Sequence, residues 1–115
     1  MQVSSNEMEG ALLLHLAGQI NGNNATSLEQ NLKTHVDQTH YRIALDFAEV
    51  DYISSAGLRV VLWLAKQVQT HAGALALYGL RRNILDIFEM CGFTDILTIV
   101  ESQEDALEKI RSTPA

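Results

Sequence analysis

Two adjacent serines, Ser54 and Ser55, stand where a phosphate group could be added to this chain. They directly precede an apolar series with helical spacing, made of Leu58, Val61, Leu62, Ala65 and Val68. A serine in this position is typical of a helix start, where its side-chain oxygen accepts a hydrogen bond from a backbone N–H that has no partner within the helix. The free amides and the helix dipole there also favour negative charge. The pair therefore predicts either a plain helix cap or a phosphorylation site, and sequence alone does not tell which serine is the cap.

Two larger side chains follow on the same predicted helix. Arg59 lies one turn after Ser55 on the same face, so it would pair with a phosphate, bind an acidic group of a partner, or remain a solvated surface residue. Trp63 lies one further turn along. It would either anchor an interface or pack partly into the core beside Leu62 and Leu64.

The patterns of several other chemistries are missing from the sequence. No Gly-x-x-x-x-Gly-Lys-Ser/Thr loop is present, so no nucleotide site of that type is predicted. A hydrolase using Ser55 would need a Gly-x-Ser-x-Gly turn, which is absent. Asp46 or Asp51 would suit a phospho-accepting receiver domain, but the acidic pair that holds Mg²⁺ in that class is replaced by Ala-Gly-Gln at 17–19. The histidines show no metal-ligand spacing: they are His15, His35, His40 and His71. We expect a protein without enzyme activity, cofactor or metal.

Composition limits the class further. The 115 residues suit a single domain, 1–115, with 47% apolar and 19% charged residues. Eight basic and fourteen acidic residues give a formal charge of −6 without any Lys/Arg run, which argues against nucleic acid and anionic membranes as partners. No segment approaches the roughly 20 apolar residues of a membrane span, and the first residues lack a secretion-signal pattern. Cys91, the single cysteine, has no internal disulfide partner and is expected to be buried at a helix end. These features predict a cytoplasmic location.

Periodicity and turn residues predict the elements that position the serine pair. Strands are expected at 2–8, 11–17, 42–47, 74–78 and 96–100, with a hairpin turn at 9–10, a turn cluster at 18–24 and an acidic loop at 48–55. Helices are expected at 24–38, 56–71, 82–90 and 104–111.

The predicted order of elements is β-β-α-β-α-β-α-β-α. After the opening hairpin, strands and helices alternate, which implies right-handed crossovers and an α/β fold with a mostly parallel, mixed sheet of about five strands and about four helices. Sites in such sheets lie at the carboxyl ends of the strands. The predicted loop 48–55, which ends in the serine pair, lies at such an end.

Four short motifs accompany this order. They are Leu-Ala-Gly-Gln-Ile-Asn at 16–21, Leu-Asp-Phe-Ala-Glu-Val-Asp-Tyr-Ile-Ser-Ser-Ala-Gly-Leu at 45–58, Ala-Gly-Ala-Leu at 72–75 and Phe-Glu-Met-Cys-Gly-Phe at 88–93. With these motifs the chain resembles a STAS domain over nearly its whole length, more narrowly a bacterial anti-sigma factor antagonist (anti-anti-sigma factor). The second motif is the most specific of the four.

The resemblance implies a partner switch. In that family the unphosphorylated antagonist binds an anti-sigma factor, which is also a serine kinase of the histidine-kinase-like ATPase type, and the bound target is released. The kinase phosphorylates a serine that corresponds to Ser55, two residues before Gly57, with Ser54 as the lesser candidate. Phosphorylation abolishes binding, and a PP2C-type phosphatase resets the switch.

Eight residues are predicted to bind the partner. They are Asn21, Asn23, Ser54, Ser55, Ala56, Gly57, Arg59 and Trp63. Many family members carry aspartate at the positions of Asn21 and Ser54, so this chain has less negative charge around the site. An alternative keeps the fold but not the switch: a constitutive STAS interaction subunit of a lipid-transport ATPase or of a signalling scaffold.

Overall fold

Five strands form one mixed sheet in the computed structural model, which describes residues 2–8, 10–35 and 41–112. The strands are β1 (Gln2–Met8), β2 (Ala11–Ile20), β3 (Arg42–Ile53), β4 (Ala74–Tyr78) and β5 (Thr98–Val100). They lie side by side in chain order. Strands β1 and β2 form an antiparallel hairpin, and every later pairing is parallel. The predicted α/β class and mixed sheet are confirmed.

Helices cover both faces of this sheet. They are α1 (Ala25–His35), α2 (Ser55–Thr70), α3 (Arg82–Met90) and α4 (Gln103–Ser112), with a 3-10 turn at Phe93–Asp95 that was not predicted. Successive side chains of β2 point to opposite faces of the sheet, so the core has two parts. Leu12 and Leu14 pack with α1, α2 and α3 in the larger part, and Ala11 and Leu13 pack with α4 in the smaller one. Helix α2 therefore leaves the carboxyl end of β3 over the larger core.

The predicted acidic loop 48–55 is wrong over most of its length, because β3 continues to Ile53. Two register shifts in its pairing with β2 break the strict alternation. The buried residues at the end of β3 are consequently three apart: Phe47, Val50 and Ile53. Strand β2 likewise runs to Ile20, so the first residues of the predicted turn cluster 18–24 belong to a strand.

Cys91 is exposed, which corrects the expectation that it would be buried. Helix α3 ends at Met90, and the chain turns at Gly92, whose φ of 75° is left-handed. Phe93 then packs edge-on against Phe88 with 6.1 Å between the ring centroids. At this helix end it is therefore Phe93, beyond the turn, and not Cys91 that packs against the core.

Two predicted features fall partly outside the described residues: the end of the first helix at 36–38 and position 9 of the hairpin turn. Within the described ranges, no helix has both the length and the apolar character needed to cross a bilayer.

Candidate functional site

The two serines have separate positions at the start of α2. Ser54 is the N-cap, with extended backbone (φ −92°, ψ 174°), and its Oγ accepts a hydrogen bond from the N–H of Gly57 at 3.2 Å. Ser55 is the first helical residue and is exposed. Among the described residues none forms a hydrogen bond with the Ser55 hydroxyl. Ser54 thus satisfies the helix end, and the hydroxyl of Ser55 remains accessible.

The end of β2 holds this helix start in place. The N–H of Ser54 donates to the carbonyl oxygen of Ile20 at 2.8 Å. A Cβ atom on Gly57 would lie 2.5 Å from Ile20 Cγ2 and 2.8 Å from Ile53 Cγ1. Gly57 therefore allows the helix to approach the strands more closely than any other residue would.

The turn between β2 and α1 is fixed by its own asparagines. Asn21 Oδ1 accepts hydrogen bonds from the N–H groups of Asn23 and Asn24, at 2.9 and 3.2 Å. Asn24 Oδ1 accepts from the N–H of Asn21 at 2.9 Å, and its Nδ2 donates to the carbonyl of Gln19 at 2.7 Å. An amide oxygen at position 21 makes the same contacts as a carboxylate oxygen without its charge. Asn21 therefore shapes the turn, while Asn23 is exposed beside it.

The side chains of Arg59 and Trp63 have different environments. Arg59 is exposed one turn after Ser55, and no carboxylate among the described residues lies within ion-pair distance of it. Trp63 is half-buried against the larger core, and Lys33 Nζ of α1 lies 5.5 Å from the centroid of its ring. Of the two interpretations of Trp63, the structure supports partial core packing, on the side of α2 that faces α1.

Ala56 completes the predicted set of site residues. It is half-buried and packs against the same core. The structure thus brings Asn21, Ser54, Ser55, Ala56 and Gly57 together at one end of the sheet, while Arg59 and Trp63 follow along α2.

Helix α3 supports the irregular end of β3, a contribution that the sequence analysis did not find. Arg81 Nε donates to the carbonyl oxygen of Ala48 at 3.1 Å, and Asn83 Nδ2 donates to that of Asp51 at 3.2 Å. These carbonyls lie in the segment where the register with β2 shifts. The residues involved are more than thirty positions apart in the chain, so no local pattern would have indicated them.

A second polar group lies on the α4 face of the sheet. His15 Nδ1 is 2.8 Å from Asp46 Oδ2, and Asp46 Oδ1 accepts from the N–H of Ala48 at 2.8 Å. Burial, followed by the negative charge of the nearby Asp46 carboxylate, raises the pKa of Tyr78 to about 12. The Tyr78 hydroxyl also donates to Gln103 Oε1 at 3.2 Å. Asp46 is thus engaged with neighbouring groups on β2 and β3.

Within the described ranges, no three or more His, Cys, Asp or Glu side chains are grouped so that they could hold a metal ion. The fold and the site together define a small α/β module that presents an accessible hydroxyl at a helix start near the carboxyl ends of its parallel strands.

Comparison with known sequences gives this module a family. The STAS domain family model matches residues 2–106, and the chain belongs to that family. A relative from Bordetella bronchiseptica, BtrV, which is named as a candidate anti-sigma factor antagonist, is 41% identical over 106 residues, covering 92% of this chain and 91% of its own. The anti-sigma-B factor antagonist of Bacillus subtilis is 28% identical over 109 residues, covering 94% of this chain and 98% of its own.

Solved structures show the same fold. An anti-sigma factor antagonist from Mycobacterium paratuberculosis superposes with a TM-score of 0.87 at 17% identity, covering 96% of this chain and 94% of that one. The Bacillus cell fate determinant SpoIIAA in its phosphorylated form superposes with a TM-score of 0.71 at 16% identity, covering 96% of this chain and all of that one, 100%.

Proposed function

We propose that this protein is an anti-sigma factor antagonist that acts by partner switching, with Ser55 as its phosphorylated residue. In the unphosphorylated state it binds an anti-sigma factor that is also a serine kinase of the histidine-kinase-like ATPase type. The target of that kinase is then released in the cytoplasm. The observation that carries the proposal is the accessible Ser55 hydroxyl, which is left free because Ser54 caps the helix.

Phosphorylation transfers the terminal phosphoryl group of ATP to Ser55 Oγ. The Oγ–P bond forms as the bond between that phosphorus and the ADP oxygen breaks, and the hydroxyl proton passes to a base of the kinase. This protein is the substrate and supplies no catalytic group. A PP2C-type phosphatase later hydrolyses the phosphoserine and restores the hydroxyl.

The effect of the phosphate follows from its position. It adds about −1.5 to −2 of charge at pH 7 to a helix start that has no acidic residue in its first turn. The dipole and the first amides stabilise such a charge by about 0.3–1 kcal/mol, so the fold should tolerate it. In an interface the same group must lose its hydration at a cost of several kcal/mol, and each 1.4 kcal/mol lowers affinity tenfold. The switch therefore requires no conformational change.

The experiment compares wild type with Ser55→Ala and Ser55→Asp in binding to the purified histidine-kinase-like serine kinases of the same genome. We expect the alanine variant to bind as wild type does and the aspartate variant to lose binding at least tenfold. Ser54→Ala serves as the matched control: it should remain a substrate of the kinase, whereas Ser55→Ala should incorporate no phosphate by intact mass. Equal binding by all variants would contradict the switch and favour a constitutive interaction subunit.

A further inference from the structure

The basic residues of this chain are not equally engaged. Lys33 pairs with Glu29 at 3.6 Å, and Arg82 pairs with Asp86 at 3.0 Å. Three arginines donate to backbone carbonyl oxygens, and Lys109 also has a partner; these residues are Arg42, Arg81, Arg111 and Lys109. The remaining two basic residues, Arg59 and Lys66, have no partner among the described residues. Both are exposed and both belong to α2.

Helix α2 also differs from the rest of the chain in charge. Its 16 residues include no Asp or Glu, so Arg59 and Lys66 give it a charge of +2. The whole chain carries −6, which leaves −8 on the other residues. The positions of Ser55, Arg59, Leu62 and Lys66 differ by four, three and four residues, which places them along one face of the helix. We call these four residues the α2 face.

We infer that the α2 face docks on an acidic surface of the partner protein, with Arg59 and Lys66 as the cations that recognise it. The identity of that partner, a kinase-type anti-sigma factor, rests on the proposed function. Free cations on an otherwise acidic protein are complementary to carboxylates, and their charge would direct the encounter between the two proteins. The neutral Asn21 and Ser54 beside the helix start add no charge that would oppose such a partner.

The same arrangement explains why Ser55 is an effective place for the switch. A phosphate of about −1.5 to −2 nearly cancels the +2 of the helix. Arg59, one turn away, is also within the spacing at which a helical side chain pairs with a neighbouring charge. The phosphate would then pair with Arg59, so that this cation is no longer available to the partner. The charge complementarity between the α2 face and an acidic surface would be lost.

The first experiment needs no kinase. The 15N-labelled chain is titrated with an octaglutamate peptide at low salt while amide chemical shifts are recorded. We expect shifts to cluster on the α2 face and to disappear in Arg59→Gln/Lys66→Gln or at 150 mM salt. The control, Arg82→Gln/Lys109→Gln, removes the same charge elsewhere and should respond as wild type does. Shifts centred on another surface, no shifts, or unchanged shifts in the α2 double variant would overturn the inference.

The second experiment uses a kinase that binds wild type. Arg59→Gln should weaken that binding roughly 5- to 10-fold, chiefly through a slower association rate, and the difference should shrink as salt is added. Arg82→Gln should bind as wild type does. An unchanged association rate for Arg59→Gln would overturn the inference. Failure of wild type to bind any kinase would contradict the proposed function, and the peptide titration would still decide the charge of the surface that the α2 face prefers.

Discussion

The hydroxyl groups of Ser54 and Ser55 are one residue apart and have different surroundings. Ser54 Oγ accepts the hydrogen bond from Gly57 that closes the first turn of α2. Ser55 is exposed and its hydroxyl is not used in capping. Helix capping and the proposed phosphorylation therefore involve different side chains, and substitutions should separate them.

Replacing Ser54 by alanine should lower the free energy of unfolding by about 1 kcal/mol, because an amide at the helix end loses its acceptor. Ser55→Ala should change it by less than about 0.5 kcal/mol, because no contact is lost. Urea unfolding followed by circular dichroism measures both. A larger loss for Ser55→Ala than for Ser54→Ala would show that the capping roles are reversed.

Gly57→Ala should destabilise the protein although alanine favours helices by about 1 kcal/mol. The new methyl group would overlap Ile20 and Ile53, and overpacking of this kind costs roughly 1–3 kcal/mol. We expect a net loss of about 1 kcal/mol or more by urea unfolding. Gly22→Ala is the control, since a Cβ there has no heavy atom within 4 Å. An unchanged or raised stability of Gly57→Ala would mean that the helix shifts away from β2 without cost.

At the scale of elements, the end of β3 is built by its neighbours. Strand β2 pairs with it through two register shifts. Arg81, the N-cap of α3, and Asn83 in its first turn donate side-chain hydrogen bonds to its carbonyl groups. On the opposite face, His15, Asp46 and Tyr78 occupy paired positions on β2, β3 and β4, and Gln103 of α4 accepts from the tyrosine. This polar row joins three strands and the helix that covers them.

The row predicts a loss of stability at alkaline pH. The folded-state pKa of Tyr78, about 12, lies above the ordinary value of 10.0, so the folded protein keeps the phenol proton where the unfolded chain loses it. The contribution of Tyr78 to the free energy of unfolding is therefore fully present below pH 10. It is lost as the pH rises from 10 to 12. Between pH 9 and pH 11 the free energy of unfolding of wild type should fall by about 1 kcal/mol more than that of Tyr78→Phe.

Urea unfolding at each pH measures this difference, and Tyr52→Phe, which removes an exposed hydroxyl, is the matched control. It should follow wild type. Parallel curves for wild type and Tyr78→Phe would contradict the prediction, because they would show that the pKa of Tyr78 is the same in the folded and unfolded states.

For the whole molecule, the charged residues and the apolar core that stabilises the fold are largely separate. The acidic residues lie outside α2, while the core that supports α2 is apolar, with no buried polar or charged residue among those described. A charge added at Ser55 would therefore change the exposed surface at the start of α2 without entering the core.

Phosphoserine installed at position 55 by genetic encoding should accordingly leave the fold unchanged. We expect the thermal midpoint to move by no more than about 5 °C, and amide shifts to change only near the start of α2 and the adjoining β2–α1 turn. Unmodified protein prepared in parallel is the control. Shifts that spread to β4, β5 and α4 would contradict a switch that acts only at the surface.

The sequence by itself determined the order of strands and helices, the opening hairpin and the serine pair at the start of the second helix. These features depend on apolar periodicity and capping residues, which act over a few positions. Only the tertiary structure decided that β3 continues to Ile53, that Phe93 replaces Cys91 in the core contact, and that Trp63 leans towards α1. It alone also showed which basic side chains have no partner among the described residues. The extent of β3 and the position of Trp63 depend on contacts between residues far apart in the chain, which local patterns do not record. The contact of Phe93 with Phe88 depends on the left-handed turn at Gly92.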